Sequence, residues 1–180
     1  MFYPNLSFPK IKNRPFFFTN FVQTIDGKTA VSKKGYWPIG SSVDHQILLE
    51  LRSHADCLIH GKNLAREFGK QTLKSLKKHH PNLPYLIANR DLKKLVSDIY
   101  QKGYRKVLVE GGPTLLASFL KEDLLDEIFL TISPKIFGSS KDTLTLVESY
   151  LFPPSKIKKF KLISVKKIKD EVFLRYGRSR

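Results

Sequence analysis

Apolar and polar residues follow one another along the first part of the chain in a pattern that alternates between strand and helix. The aromatic and β-branched run over residues 16–22 ends at Asp26-Gly27, which predicts a buried strand followed by a turn. From residue 43 to residue 51 the apolar positions recur at helical spacing, and Ser41 or Ser42 precedes them as a capping residue. Residues 57–60 then form a short apolar run that predicts a second strand.

The following stretch, residues 62–80, is ambiguous. Leucine and phenylalanine positions would line one side of a helix, and lysines at 70, 74, 77 and 78 form a basic stripe. Gly69 stands in the middle of the stretch, and we expect it to interrupt the helix.

The pattern returns to strand and helix after residue 84. Residues 85–88 predict a strand, and residues 92–99 predict a helix that ends at Gly103. Residues 107–109 predict a further strand, and residues 113–120 a short apolar helix with proline in its first position. This order favours an α/β fold with mainly parallel strand pairing.

The C-terminal part of the chain has a different pattern. Residues 127–132, 160–166 and 172–176 predict strands without long helices between them, and the last two are close enough to form an antiparallel hairpin. We therefore expect a mixed, mostly parallel sheet with a C-terminal antiparallel hairpin. A chain of 180 residues is long enough for one core, so we expect residues 1–180 to form a single domain.

Composition restricts the possible partners and the compartment of the protein, but it does not identify a function. The net charge of +16 indicates either anionic partners, such as nucleotides, sugar phosphates, nucleic acid or a membrane surface, or a heavily solvated surface. Cys57 is the only cysteine, and no apolar run approaches the roughly 20 residues that span a bilayer. We expect a cytoplasmic protein without disulfides and without a membrane partner.

Candidate chemistry lies where the predicted strands end, because ligands of open α/β sheets bind beyond the carboxyl ends of strands. Polar or glycine-rich segments follow four strands, at residues 24–28, 61–64, 89–90 and 110–114. The last segment, with two glycines before a helix, suits a phosphate, although a plain tight turn has the same composition. Arg90 could hold a second phosphate or could be a solvated arginine at a helix start.

Several common sites have no counterpart in the sequence. It contains no G-x-G-x-x-G dinucleotide motif, no Walker loop and no G-x-S-x-G nucleophile elbow. The five histidines show no metal-ligand spacing with Cys57 or with paired carboxylates, so we expect no metal site.

Four segments in register resemble the reductase domain of the riboflavin pathway. Residues 20–28 resemble its S-x-D-G-K segment, and residues 39–56 resemble its first helix and L-R-x-x-x-D stretch. Residues 107–115 resemble a strand followed by E-G-G-x-x-L, and residues 124–138 resemble its D-E and P-x-x-x-G stretch. The resemblance therefore runs from about residue 16 to residue 138.

This resemblance implies a dihydrofolate-reductase-like three-layer fold and an NADPH-dependent reduction of the ribose of a 5-phosphoribosylamino-pyrimidine to a ribityl chain. Relatives usually form homodimers. The residues expected to contact the cofactor are Gly61, Asn63, Leu64, Glu110, Gly111, Gly112, Thr114 and Leu115, and Arg90 joins them because of its place after a strand. The residues expected to face the substrate are Asn20, Thr24, Asp26, Lys28, Asp44 and Arg52.

The protein chiefly orients the hydride donor against its acceptor in such a reaction. Asp26 or Asp44 would assist the proton transfers that open the ribose, and Lys28 would pair with the substrate phosphate or polarise the sugar. Asp26 also fits a plain turn, and Asp44 would also suit its helix dipole. We take Asp26 and Lys28 as the catalytic pair.

The chain departs from the family pattern after its second predicted strand. Gly61-Lys62-Asn63-Leu64 replaces G-x-G-T, residues 66–70 replace an acidic D-D-P stretch, and Leu49 stands where many relatives have histidine. One alternative is therefore a reductase of the same fold that acts on a pterin or another heterocycle, with Asp44 after Trp37 as the acid. The other alternative is a nucleic-acid-binding domain that uses the basic stripe. The sequence shows no recognisable RNA-reading strand and no helix-turn-helix, so we do not expect nucleic acid as a partner.

Overall fold

The computed structural model describes residues 1–32 and 37–179, which form nine strands and four α-helices. In chain order they are β1 Phe16–Thr24, β2 Ala30–Val31, α1 Ser42–Ser53, β3 Cys57–His60, α2 Lys62–His79, β4 Tyr85–Ile87, α3 Leu92–Gln101, β5 Lys106–Gly111, α4 Pro113–Lys121, β6 Leu125–Ser133, β7 Thr143–Leu144, β8 Phe160–Ile168 and β9 Glu171–Arg178. No helix among the described residues is long and apolar enough to cross a membrane.

Seven of these strands form one sheet in the order β4-β3-β5-β1-β6-β9-β8. The first five pair in parallel, β9 runs antiparallel to β6, and β8 and β9 form an antiparallel hairpin. The prediction of a mixed, mostly parallel sheet with a C-terminal hairpin is confirmed. Strands β2 and β7 pair separately, and their two residues each are too short to leave a pattern in the sequence.

Alternate residues of the central strands enter two cores, one on each face of the sheet. Phe17 packs on the side of α3 and α4, whereas Phe16 and Phe18 pack on the side of α1 and α2. The same alternation separates Leu108 from Val107 and Val109, because successive side chains of a strand point to opposite faces. The sheet therefore lies between two helical layers, as the three-layer prediction requires.

Helix α2 corrects one expectation, because it runs unbroken through Gly69. A glycine lowers helix stability by about 1 kcal/mol, which the burial of Thr72 and Leu76 on the same helix outweighs. Gly69 is buried, and a Cβ at this position would lie 3.4 Å from the hydroxyl oxygen of Tyr85. The glycine thus faces β4 at close range and does not end the helix.

The four helices begin in two different ways. Helices α1 and α3 have side-chain caps, since Ser41 accepts the N–H groups of Val43 and Asp44, and Asp91 accepts that of Lys94. Helices α2 and α4 start after glycines and have no side-chain cap. Their free N-terminal N–H groups therefore remain available to another acceptor.

Candidate active site

The carboxyl ends of the five parallel strands meet at one edge of the sheet, which we call the ligand edge. Its segments are the turn after β1, Gly61 after β3, Asn89-Arg90 after β4, Gly111-Gly112 at the end of β5, and Ser133 at the end of β6. All four segments predicted from the strand ends therefore lie along this edge.

The two uncapped helices start side by side at the ligand edge. Strands β3 and β5 are neighbours, α2 follows β3 at Gly61, and α4 follows β5 at Gly112. The backbone N–H of Gly61 donates to the carbonyl oxygen of Gly111 over 2.6 Å, which joins the two turns. Two positive helix ends with free N–H groups form a site suited to a phosphate or a diphosphate.

The three glycines of these turns serve different purposes. Gly111 has a φ of +97°, and a Cβ there would lie 2.7 Å from Cζ of Phe21. A Cβ at Gly61 would lie 3.3 Å from Cβ of Leu115, whereas a Cβ at Gly112 would have no atom within 4 Å. Phe21 therefore excludes a side chain at Gly111, a side chain at Gly61 would press on Leu115, and Gly112 faces open space. The peptide bond between Gly111 and Gly112 is cis.

The other predicted cofactor residues surround the two turns. Asn63 and Thr114 are exposed in the first turns of α2 and α4, and Leu64 and Leu115 are half-buried beside them. Arg90 is exposed after β4, the strand next to β3, and forms no ion pair with the described residues. The structure thus brings these five residues to one end of the ligand edge.

Glu110 differs from that group because its side chain points into the core. Its carboxylate accepts two hydrogen bonds from Arg52, at 2.6 and 2.7 Å, and lies 3.0 Å from Nε2 of His60. Burial raises the pKa of Glu110, but the hydrogen bonds and charges of Arg52 and His60 outweigh this effect and hold the pKa below its ordinary value. The side chain of Glu110 is therefore engaged inside the protein and does not face a ligand.

Arg52 requires a correction, since it was expected to face the substrate. Its side chain is 4% exposed, pairs with Glu110 in a bidentate arrangement, and donates to Oγ of Ser75 at 3.1 Å. Its position in the last turn of α1 places it by the amino ends of the strands, where it lines a recess of about 750 Å³ with His80 and Tyr104. The pairing commits Arg52 to the interior.

The turn after β1 is held by Thr24 and Asp26. The Thr24 hydroxyl donates to Asp26 and accepts the backbone N–H of Lys28. The Asp26 carboxylate also accepts the backbone N–H groups of Phe137 and Gly138, which ties the turn to the loop after β6. The hydrogen bond from Thr24 is the main cause that lowers the pKa of Asp26, and the carboxylate accepts three hydrogen bonds that hold the turn. The structure therefore favours the turn role of Asp26 over the proton-transfer role.

Lys28, on the same turn, keeps its amino group free. The backbone of Lys28 pairs with Thr24 in both directions, which fixes the position of the residue. Its side-chain nitrogen forms no hydrogen bond or ion pair with the described residues. Lys28 is therefore available to an anionic or oxygen-bearing ligand.

Asp44 lies buried in the first turn of α1, over β6. Its side chain is 9% exposed, one of its oxygens has no hydrogen-bond partner among the described residues, and it interacts with the Thr131 hydroxyl. Burial is the main cause that raises its pKa, and the charge of Glu171 adds to the rise. Asn20 on β1 likewise has a buried Oδ1 without a partner. Both acceptors stand on the face of the sheet that α1 covers.

Sequence reasoning missed His60, Tyr85 and Thr131. The sequence analysis excluded His60 only as a metal ligand, and the residue is 2% exposed beside Glu110. The signal was a polar residue at the end of an otherwise apolar strand, directly before Gly61. Tyr85 bonds to His60, and Thr131 contacts Asp44, through distant parts of the chain that no local pattern joins.

A sheet of this order between two helical layers, with two glycine turns at the ligand edge, defines an α/β protein of the dihydrofolate-reductase-like fold. Dihydrofolate reductase from Enterococcus faecalis shares the fold with a TM-score of 0.56 at 11% identity, over 92% of this chain and 97% of that one. Acinetobacter baumannii RibD shares it with a TM-score of 0.75 at 17% identity, over 94% of this chain and 59% of that one.

The family is narrower than the fold. The model of the RibD C-terminal domain matches residues 68–174, more than half of the sequence, and the chain belongs to that family. RibD from Buchnera aphidicola is 37% identical over 60 residues, 33% of this chain and 16% of that protein. A protein named 2,5-diamino-6-ribosylamino-4(3H)-pyrimidinone 5′-phosphate reductase, from Archaeoglobus fulgidus, is 32% identical over 78 residues, 43% of this chain and 33% of that one. The chain thus spans a third or less of the length of these two curated relatives.

Proposed function

We propose that this chain is the reductase of riboflavin biosynthesis, which uses NADPH to convert the ribose of a 5-phosphoribosylamino-pyrimidine into a ribityl chain. The observation on which the proposal depends is the pair of uncapped helix N-termini at Gly61 and Gly112. Membership of the RibD C-terminal domain family and the name of the Archaeoglobus relative support the substrate class.

The proposed cofactor site consists of the two glycine turns and their surroundings. The free N–H groups at the start of α2 and the N–H of Thr114 in α4 would bind the diphosphate, since Pro113 at the first position of α4 has no N–H. The open space at Gly112 lets the backbone approach it. Arg90 would pair with the 2′-phosphate, which is the basis for expecting NADPH and not NADH. The bound cofactor supplies the hydride, and the side chains of Asn63, Leu64, Thr114 and Leu115 orient it.

The proposed substrate site lies on the β1 side of the cofactor site. Lys28, with its free amino group on a fixed backbone, would pair with the substrate phosphate or polarise the opening sugar. Asp44 has a raised pKa, which suits a group that must hold a proton for transfer. The unpartnered oxygens of Asn20 and Asp44 would accept N–H groups of the heterocycle. We assign Thr24 and Asp26 to holding this turn.

The oligomeric state and the cellular compartment are further parts of the proposal. We propose that the chain acts as one reductase domain in a homodimer, in the manner implied by the family resemblance. The compartment we propose is the cytoplasm, because Cys57 is buried and unpaired, as a reducing environment permits.

The test is NADPH titration of the purified protein followed by NADPH oxidation with the phosphoribosylamino-pyrimidine. We expect binding of NADPH, weaker binding of NADH, and oxidation that depends on the substrate. Lys28→Met should raise the KM for the substrate by about tenfold or more and leave NADPH binding unchanged. Lys169→Met, in the turn between β8 and β9, is a matched control that should change neither. Failure of the wild-type protein to bind NADPH would contradict the proposal.

One observation favours a second candidate, reduction of a pterin by the same site. Asp44 and Thr131 place a buried carboxylate and a hydroxyl together, which suits the N–H groups of a fused heterocycle as well as those of a pyrimidine. Oxidation of NADPH with dihydropterin or dihydrofolate, and none with the phosphoribosyl compound, would select this candidate. The Lys28→Met variant separates the two as well, since a pterin without phosphate gives it no partner.

A further inference from the structure

The two glycine turns of the ligand edge are joined twice, once through backbone and once through side chains. His60 directly precedes Gly61, and Glu110 directly precedes Gly111. The side chains of His60 and Glu110 meet at 3.0 Å, and the residues that follow them meet through the 2.6 Å bond between Gly61 N and Gly111 O. The two turns are therefore joined by a side-chain contact between His60 and Glu110, and by a backbone hydrogen bond between the glycines that follow them.

A buried network extends from this side-chain link to three further elements. The Tyr85 hydroxyl on β4 lies 3.1 Å from Nδ1 of His60, Arg52 on α1 pairs with Glu110, and Ser75 on α2 accepts from Arg52. His60, Arg52 and Glu110 are 2%, 4% and 8% exposed. The network thus connects the strands that lead into both turns with the two helices packed on that face of the sheet.

The hydrogen bonds of His60 define one arrangement. Nε2 lies 3.0 Å from the Glu110 carboxylate and Nδ1 lies 3.1 Å from the Tyr85 hydroxyl, so both ring nitrogens have a partner and the ring is held in one orientation. Arg52 already gives the Glu110 carboxylate a bidentate partner. What His60 adds is a fixed distance between the ends of β3 and β5, and buried polar groups of this kind contribute geometry more than stability.

From these contacts we infer that His60, oriented by Tyr85, is a positioning residue that sets the spacing of the α2 and α4 N-termini for the diphosphate of the cofactor. It touches no ligand and acts through Gly61 and Gly111. The inference rests on the proposed function, because it names the geometry of that same cofactor site. Small misplacements of binding groups cost large factors, so loosening one turn against the other weakens cofactor binding selectively.

The test compares His60→Leu, which removes both hydrogen bonds, with His60→Gln, which keeps an N–H donor toward Glu110, and with Tyr85→Phe, which removes only the hydroxyl. Tyr104→Phe, whose hydroxyl forms no hydrogen bond with the described residues, and His79→Gln, on the exposed side of α2, are the matched controls. For each protein we would measure the Kd for NADPH and for ADP-ribose, the kcat, both KM values and the amide hydrogen exchange of Gly61.

We expect His60→Leu to raise the Kd for NADPH and for ADP-ribose by about tenfold, and Tyr85→Phe to raise them by a smaller factor. His60→Gln should restore most of the affinity, and the KM for the pyrimidine substrate and the kcat at saturating NADPH should change less than twofold. Exchange of the Gly61 amide should become faster in His60→Leu and in Tyr85→Phe, and should stay as in wild type in both controls.

Three results would overturn the inference. One is an unchanged Gly61 exchange in both His60→Leu and Tyr85→Phe, which needs no cofactor to observe. Another is an equal loss for NADPH and for the pyrimidine substrate, since a general loosening of the fold affects both. A third is wild-type protein that binds neither NADPH nor ADP-ribose, which would remove the proposed function as well and is therefore distinguishable from the first two.

Discussion

Gly111 lies against Phe21, so that a Cβ on Gly111 would stand 2.7 Å from Cζ of the ring, whereas a Cβ on the next residue would meet nothing within 4 Å. The two adjacent glycines therefore separate a packing role from a binding role. Gly112→Ala should leave the melting temperature nearly unchanged and weaken NADPH binding by tenfold or more, because the methyl group occupies the approach to the phosphates. Thermal unfolding and NADPH titration check the two parts.

Gly111→Ala is the comparison, and we expect its main effect on the stability of the fold and not on NADPH binding. Its φ of +97° and the contact with Phe21 make any side chain strained, so unfolding should become easier by about 2 kcal/mol or more. Gly27→Ala, another glycine with positive φ but with open space around it, controls for the backbone strain alone. Normal NADPH affinity in a well-folded Gly112→Ala protein would contradict the proposed position of the diphosphate.

Glu110→Gln tests the buried ion pair as a source of stability. The variant leaves the Arg52 guanidinium buried without its anionic partner, and breaking such a pair costs about 3–5 kcal/mol. For a protein of this size that loss lowers the melting temperature by roughly 10 °C. The exposed Glu67→Gln should change it little. Replacement of both partners, R52M with E110L, should be less destabilising than Glu110→Gln, and a larger loss in the double variant would contradict this account.

The lowered pKa of Glu110 predicts that the stability of the fold decreases in acid. The pKa of Glu110 in the folded protein lies below the ordinary value of 4.5, since the Arg52 and His60 contacts outweigh the effect of burial. A lowered pKa means stability that is present above pH 4.5 and is lost as the pH falls through the folded value. The gap between wild type and Glu110→Gln should therefore be widest near neutral pH and should narrow in acid, which unfolding measured at several pH values will show.

The sequence was sufficient to predict those helices, strands and turns whose signal lies in neighbouring residues. Hydrophobic spacing located α1 with its Ser41 cap, α3 and the parallel strands. The glycine turn at residues 110–112 was found because its neighbours in sequence are its neighbours in space. Gly69 was misjudged because helix propensity is local while the packing of α2 on the sheet is not.

The site was predicted less well because its decisive contacts join distant segments. The family resemblance assigned Arg52 and Asp26 to the substrate. It did not reveal that Arg52 would donate its hydrogen bonds to Glu110, or that Asp26 would accept one from the loop at Phe137. The roles of Asp44 and Lys28 stay predictions, and one oxygen of Asp44 has no hydrogen-bond partner among the described residues. Which polar groups stay unpartnered is a property of the folded chain.

The basic stripe on α2 provides a prediction about surface charge. Lys70, Lys74 and Lys78 follow one another at i, i+4 spacing, and none forms an ion pair with the described residues. Like charges at this spacing destabilise a helix, so Lys74→Glu should stabilise the protein by about 1 kcal/mol, or roughly 2–4 °C. Lys74→Gln should give about half of this gain, and 1 M salt should reduce both. A loss of stability in Lys74→Glu would contradict a purely repulsive stripe.

Asp44 combines a proposed function with a cost to the fold. Burial and Glu171 raise its pKa above the ordinary 3.8, despite the opposing contact with Thr131. A carboxyl whose pKa is raised in the folded protein does not reduce stability below pH 3.8. The loss of stability grows as the pH rises through the folded pKa, by about 1.4 kcal/mol for each unit by which the pKa is raised.

Asp44→Asn should therefore unfold at a higher temperature than wild type at pH 7 and at nearly the same temperature near pH 3, while turnover falls by about a hundredfold. Asp98→Asn, on the exposed side of α3, should show neither effect. An Asp44→Asn protein that loses stability at pH 7, or that keeps full turnover, would show that the buried carboxylate is retained for packing and not for chemistry.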